Sequence, residues 1–166
     1  MNADLRHQGA PQAALGRRFP SAAGRDLSGA RVRLPDAVLG APALLLVAYR
    51  RAAQADVDRW VAFAHREAPG LTVLELPVIP ALIWRPLRGW IDAGMRGGVP
   101  QDQWSSVVTL YGEGAAVRDF VGDRGAPVAH ATLLDADGTV RCLEAGGFGD
   151  AAGRRLIAAL AGLRRH

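Results

Sequence analysis

Seven apolar residues in a row, Ala43-Leu44-Leu45-Leu46-Val47-Ala48-Tyr49, bounded by Pro42 and followed at once by Arg50-Arg51, constrain this chain more than any other feature. So short an unbroken run has no polar side to turn to water. It suits a strand covered on both faces, the centre of a mixed or parallel sheet. From Arg51 to Arg66 the apolar positions Ala53, Val57, Trp60, Val61 and Ala64 recur at helical spacing, and Pro69-Gly70 ends the pattern. Leu71 to Ile79 then reads as a second strand. Strand, helix and strand in succession imply a right-handed parallel crossover.

The remaining segments extend this α/β core. Phe19-Pro20 and the turns at Gly24, Ser28 and Gly29 frame a short strand or hairpin over Ala30 to Leu34. A helical stripe runs through Trp84, Leu87, Ile91 and Met95, with Pro86 in its first turn. Ser105 to Tyr111 gives a third strand, and a short helix follows around Ala115 to Val121. Ala131 to Asp135 and Thr139 to Leu143 flank Asp137-Gly138, a strong hairpin signal. Asp150 is placed to cap a last helix whose inward face is Leu156, Ile157, Leu160 and Leu163. Residues 1–18 read as a flexible tail, leaving 19–166 as the folded domain.

With 166 residues, 49% of them hydrophobic and 22% charged, the chain has the composition of an ordinary globular domain. All 20 basic residues are arginine, scattered among acids, and no basic stripe is interleaved with aromatics, so nucleic acid is not an expected partner despite the net charge of +4. The longest apolar stretch, Ala37 to Tyr49, is broken by Gly40 and Pro42 and too short to span a bilayer. Without a secretory leader at its start, the chain is expected to be soluble and cytoplasmic. One cysteine, Cys142, excludes an internal disulfide and multi-cysteine zinc sites. The absence of lysine removes Walker-type phosphate loops and Schiff-base chemistry. Gly146 to Gly153 mimics a dinucleotide fingerprint but lies too near the end for the strand and acid that must follow it. No cofactor or metal is expected.

The order of elements resembles the thioredoxin-like fold, a three-layer sandwich with a mixed central sheet flanked by helices. It carries an N-terminal strand or hairpin extension and an inserted helix after the second strand. Two stretches look more narrowly like the mitochondrial ATP synthase assembly-factor family of redox-inactive thioredoxin-like proteins. One runs from Phe19-Pro20 through Leu27 and Leu34-Pro35 into Ala43 to Tyr49. The other includes Arg118-Asp119-Phe120-Val121-Gly122, Leu133-Leu134-Asp135, Gly138-Thr139-Val140-Arg141 and Gly146. Cys142 stands where that family is expected to carry an aromatic.

Thioredoxin-like enzymes hold their reactive thiolate at the start of the helix after the central strand, where free amides and helix polarity lower its pKa. Here Arg51 and Gln54 stand where the two cysteines would be, and Ala129 falls near the fold's usual cis-proline. The resemblance therefore implies a non-catalytic module that binds a protein or peptide, with Arg50, Arg51, Gln54 and His130 around a groove in place of the lost redox site. The competing expectation is an enzyme or binder that acts on a small anion with the same four residues. The plainer alternative is that Arg50 and Arg51 point into water or pair with Asp56 or Asp58. A second candidate face for a protein partner is the tryptophan-bearing insertion, with Trp84, Arg85, Arg88 and Trp90.

Overall fold

The computed structural model describes residues 9–79, 97, 100–112 and 114–165. Seven strands, β1 (Ala22–Asp26), β2 (Arg31–Leu34), β3 (Ala43–Ala48), β4 (Thr72–Ile79), β5 (Val108–Tyr111), β6 (His130–Leu134) and β7 (Val140–Glu144), form one sheet in the order β2-β1-β5-β4-β3-β6-β7. The uninterrupted apolar run becomes β3 and lies inside the sheet, parallel to β4 and antiparallel to β6. All five residues from Ala43 to Val47 are sealed from solvent. Burying each leucine there contributes about 1.5–3 kcal/mol of hydrophobic stabilisation.

Among the described residues four helices cover the sheet: α1 (Gly9–Ala14), α2 (Gln54–Glu67), α3 (Gly114–Val121) and α4 (Asp150–Leu163). Alternation along β3 divides the core between two faces. Ala43, Leu45 and Val47 pack with Val117 and Val121 of α3 and Ala14 of α1. Leu44 and Leu46 pack instead with Val57, Trp60 and Ala64 of α2 and Leu156 and Leu160 of α4. Trp60 anchors the second layer, its ring edge-on to Phe63 at 6.2 Å and to Phe148 at 5.1 Å between centroids. The sheet and its two helical layers match the three-layer expectation.

Several local expectations change. Residues 9–18, read as tail, fold against the domain: Ala14 is buried, and Gly16 to Arg18 pair with the start of β7. Buried Ala14 and a row of backbone hydrogen bonds hold a segment whose composition alone looks unstructured. Gly24 is a strand residue, not a turn, and is a glycine there because a side chain would collide with the neighbouring strand. Asp150 is the first residue of α4, whose cap position is Gly149, and it makes no capping bond. The predicted helix at 84–95 and its Trp84, Arg85, Arg88 and Trp90 lie outside the described residues. The Asp135–Gly138 hairpin turn forms as expected, with Gly138 at φ +80° and the Asp135 carboxylate accepting the Asp137 and Thr139 N–H groups.

Candidate functional site

The chain leaves β3 at Tyr49 and Arg50, turns through one 3₁₀ turn at Arg51–Ala53 and enters α2. On the other side of this point, residues 122–129 lead into β6, whose first residue, His130, pairs with Val47. That register puts His130 on the α3 face of the sheet. Its ring lies edge-on to Tyr49, 6.2 Å between centroids, and its Nε2 is 3.9 Å from Oδ1 of buried Asp123. Arg118 of α3 completes the group, with Nε 3.2 Å from Asp123 Oδ2 and its guanidinium over the Tyr49 ring.

Burial keeps the His130 ring and the Tyr49 phenol uncharged at neutral pH. Burial lowers the pKa of His130 below the ordinary histidine range, partly offset by the Asp123 carboxylate and the Val47 carbonyl. Burial also raises the Tyr49 phenol well above its usual value, with Asp123 adding to the effect. The Tyr49 hydroxyl, His130 Nδ1 and Asp123 Oδ2 are buried without a hydrogen-bond partner among the described residues. The Arg118 contact to Asp123 is thus an ion pair outside hydrogen-bond geometry, on a side chain half open to solvent.

Of the four residues expected around one groove, the structure does not join Gln54 to His130. The Gln54 amide donates to Asp58 at 2.9 Å and reaches Glu75 of β4 at 3.5 Å. This places it on the α2 face, opposite His130. Glu75 has a raised pKa, caused first by burial, with the Gln54 bond opposing and Asp58 reinforcing. Arg50 and Arg51 are exposed. Neither pairs with Asp56 or Asp58: Asp56 is held by Arg59 at 2.8 Å and Asp58 by Gln54. The Arg50 guanidinium lies over Gly125 instead, with Nη2 2.9 Å from the position a Cβ would take there.

Asp56 is the residue that sequence reasoning undervalued. Its carboxylate, 3% exposed, accepts the N–H groups of Ala129 and Phe148, each at 2.9 Å. One first-turn side chain therefore fixes the approach to β6 and the loop before α4. The signal was an acid four residues before Trp60 on the apolar stripe of α2.

A groove of about 840 Å³ opens beside the cluster, with His130 on its floor. It follows the outer edge of β7 from Arg141 to Gly146, walled by Arg124 and Val128 on one side and Arg155 on the other. Cys142, the one thiol, faces α4 here; burial and the neighbouring Glu144 push its pKa up to about 12. No three metal-ligating side chains cluster among the described residues.

No protein-family model matches the chain, and no curated protein matches it. Solved structures do. The thioredoxin domain of a thiol-disulfide oxidoreductase from Bacteroides vulgatus is 19% identical, with a TM-score of 0.57 over 89% of this chain and 98% of that one. The fold is thioredoxin-like. An exposed lipoprotein thioredoxin from Streptococcus pneumoniae strain TIGR4 is 13% identical, with a TM-score of 0.57 over 84% of this chain and 98% of that one. BsSco, of the Sco family of cytochrome c oxidase assembly proteins, is 13% identical with a TM-score of 0.58, covering 92% and 96%. Identities this low establish the thioredoxin-like architecture, while function has to be argued from this chain's own site. No helix among the described residues is long and apolar enough to cross a membrane.

Proposed function

We propose that this is a non-catalytic thioredoxin-fold module that binds a protein or peptide. One observation carries the reading: Arg51-Ala52-Ala53-Gln54 occupies the turn where thioredoxin chemistry needs its two cysteines, and the only thiol of the chain is elsewhere, on β7. Disulfide exchange requires an attacking thiolate and a resolving thiol within reach. Cys142 has no second cysteine to resolve with and stays protonated at neutral pH.

Binding is supported by the groove along β7, which offers apolar walls, open backbone and several guanidinium groups. The likeness of the sequence to the mitochondrial ATP synthase assembly-factor family agrees with a role in holding a partner chain, and a cytoplasmic location belongs to the same reading. Two measurements test it. Insulin reduction by the protein is expected to show no turnover above a Cys142→Ala control, and turnover would overturn the non-catalytic assignment. A peptide array probed with labelled protein is expected to give sequence-dependent binding, and a uniformly blank array would overturn the module assignment.

A further inference from the structure

Among the described residues the sheet ends at β7, and they close only the first part of that strand's outer edge. Gly16 donates its N–H to the Val140 carbonyl at 2.9 Å, Val140 donates to the Arg17 carbonyl at 2.9 Å, and Arg18 bridges Thr139 in antiparallel sense. Beyond Val140, residues Arg141 to Gly146 line the groove instead. An edge strand presents a row of backbone donors and acceptors that can template another strand. This chain already uses the edge in that way over one short antiparallel pairing.

Charge around the groove selects among possible strands. Among its lining residues stand three guanidinium groups, Arg124, Arg141 and Arg155, against one carboxylate, Glu144. Arg141 is engaged by Asp135 at 2.7 Å and Arg155 by both oxygens of Glu144. Arg124 is exposed and forms no ion pair among the described residues, and neither does Arg50, which lies over Gly125 next to it. Two uncommitted cations thus stand at one end of an open edge. Val128, Leu15 and Ala159 offer apolar contacts beside it.

We propose that this groove takes an extended acidic segment of a partner protein, added antiparallel to β7 beyond Val140, with carboxylates directed to Arg124 and Arg50. The proposal rests on the binding-module reading and names its site and the chemistry of its partner. Backbone pairing supplies the registration, and the two arginines supply the preference for acid.

The test is an amide-resolved NMR titration of the full chain with an acetylated, amidated peptide of alternating valine and glutamate. Its lysine counterpart, and versions N-methylated at every second residue in both registers, serve as controls. Shifts are expected at Arg141 to Gly146 and Gly122 to Val128, weakened about tenfold by Arg124→Glu and further by added salt. N-methylated peptides that bind as well as the parent overturn strand addition, and an equally tight lysine peptide overturns the acidic preference. Shifts confined to Arg51 through Asp58, or none at all, remove the β7 site, while the peptide array decides the binding-module reading independently. Concentration-dependent shifts of the same β7 amides without peptide would make the occupant a second copy of this chain and also overturn the proposal. The thermal unfolding of Arg124→Glu, expected to equal that of wild type, shows that a lost signal is not lost structure.

Discussion

The Asp56 carboxylate, in the first turn of α2, receives the backbone N–H of Ala129 across 73 residues of sequence. It receives that of Phe148 as well, so three separated segments meet on one buried side chain. Asp56→Ala would leave two N–H groups without acceptors. At about 1–3 kcal/mol for each group stranded, the variant is expected to lose about 3 kcal/mol of stability, and Asp56→Asn less because one acceptor oxygen survives. Urea unfolding checks the size of the loss. Hydrogen exchange checks its origin: the Ala129 and Phe148 amides should lose protection before those of β3. Uniform loss across the sheet would contradict this account.

His130 supplies a pH dependence whose sign follows from burial. Its folded-state pKa is lowered, so in acid the unfolded chain takes up a proton that the folded one resists. Stability is therefore full above the unfolded histidine value of about 6.5 and is lost as pH falls from there toward the folded value. The loss cannot exceed about 1.4 kcal/mol per pH unit for one group. Urea midpoints of wild type and His130→Gln between neutral pH and pH about 5 should diverge, wild type falling more steeply. Parallel curves would mean that His130 does not titrate differently on unfolding.

The central strand, the crossover to α2 and β4, and the β6–β7 hairpin were legible because each rests on local pattern: an apolar run, a helical stripe, an Asp-Gly turn. The cluster of Tyr49, Arg118, Asp123 and His130 was not, because its members come from four segments brought together only by the register of β6 on β3. Register also separated Gln54 from His130. Sequence proximity to the helix start suggested one groove, but α2 packs on the Leu44 and Leu46 face of the sheet while His130, opposite Val47, lies on the other. Gly24 misled for a related reason: a glycine reads as a turn unless the strand packed beside it is known.

That strand makes Gly24 sensitive. A Cβ at Gly24 would stand 2.5 Å from the Thr109 carbonyl oxygen and 2.9 Å from side-chain carbons of Val108 and Leu110. The nearest obstacle is backbone of a paired strand, so it cannot swing aside. Gly24→Ala is expected to destabilise by about 1–3 kcal/mol, as overpacking does, despite the better strand propensity of alanine. Thermal unfolding measures it, and an unchanged midpoint would show that β1 can slide away from β5.

Cys142 should be a slow thiol. With its pKa at about 12, about one molecule in ten thousand carries the thiolate at pH 8, before steric shielding is counted. Reaction with an aromatic disulfide reagent is expected to be slow in the native protein and fast in urea. Native labelling at the rate of a free thiol would contradict both the burial and the pKa.

Arg51 opposes the dipole at the start of α2 and forms no salt bridge among the described residues. Arg51→Ala is accordingly expected to raise stability slightly, by about 0.3–1 kcal/mol at low salt, with the gain shrinking as salt rises. Melting curves with and without phosphate and small carboxylates distinguish this from a binding role. A stabilising shift of wild type by such anions that the variant lacks would assign Arg51 to a ligand.

The hairpin carries one further consequence. Leu133 faces Cys142 and Leu134 faces Val140, so Arg141 is a supernumerary residue between them. Under strict alternation Val140 and Cys142 would share a side; the extra residue changes the parity, sending Val140 to the α3 layer and Cys142 to the α4 layer. The bulge thus absorbs one residue of length without moving either neighbour from its layer. Excising Arg141 would leave Val140 and Cys142 as neighbours on their present sides of a regular ladder, whereas losing a residue from Cys142 to Glu144 would turn over those after it. For evolution or an engineer, the length of this hairpin is negotiable at the bulge and fixed along the paired residues beyond it.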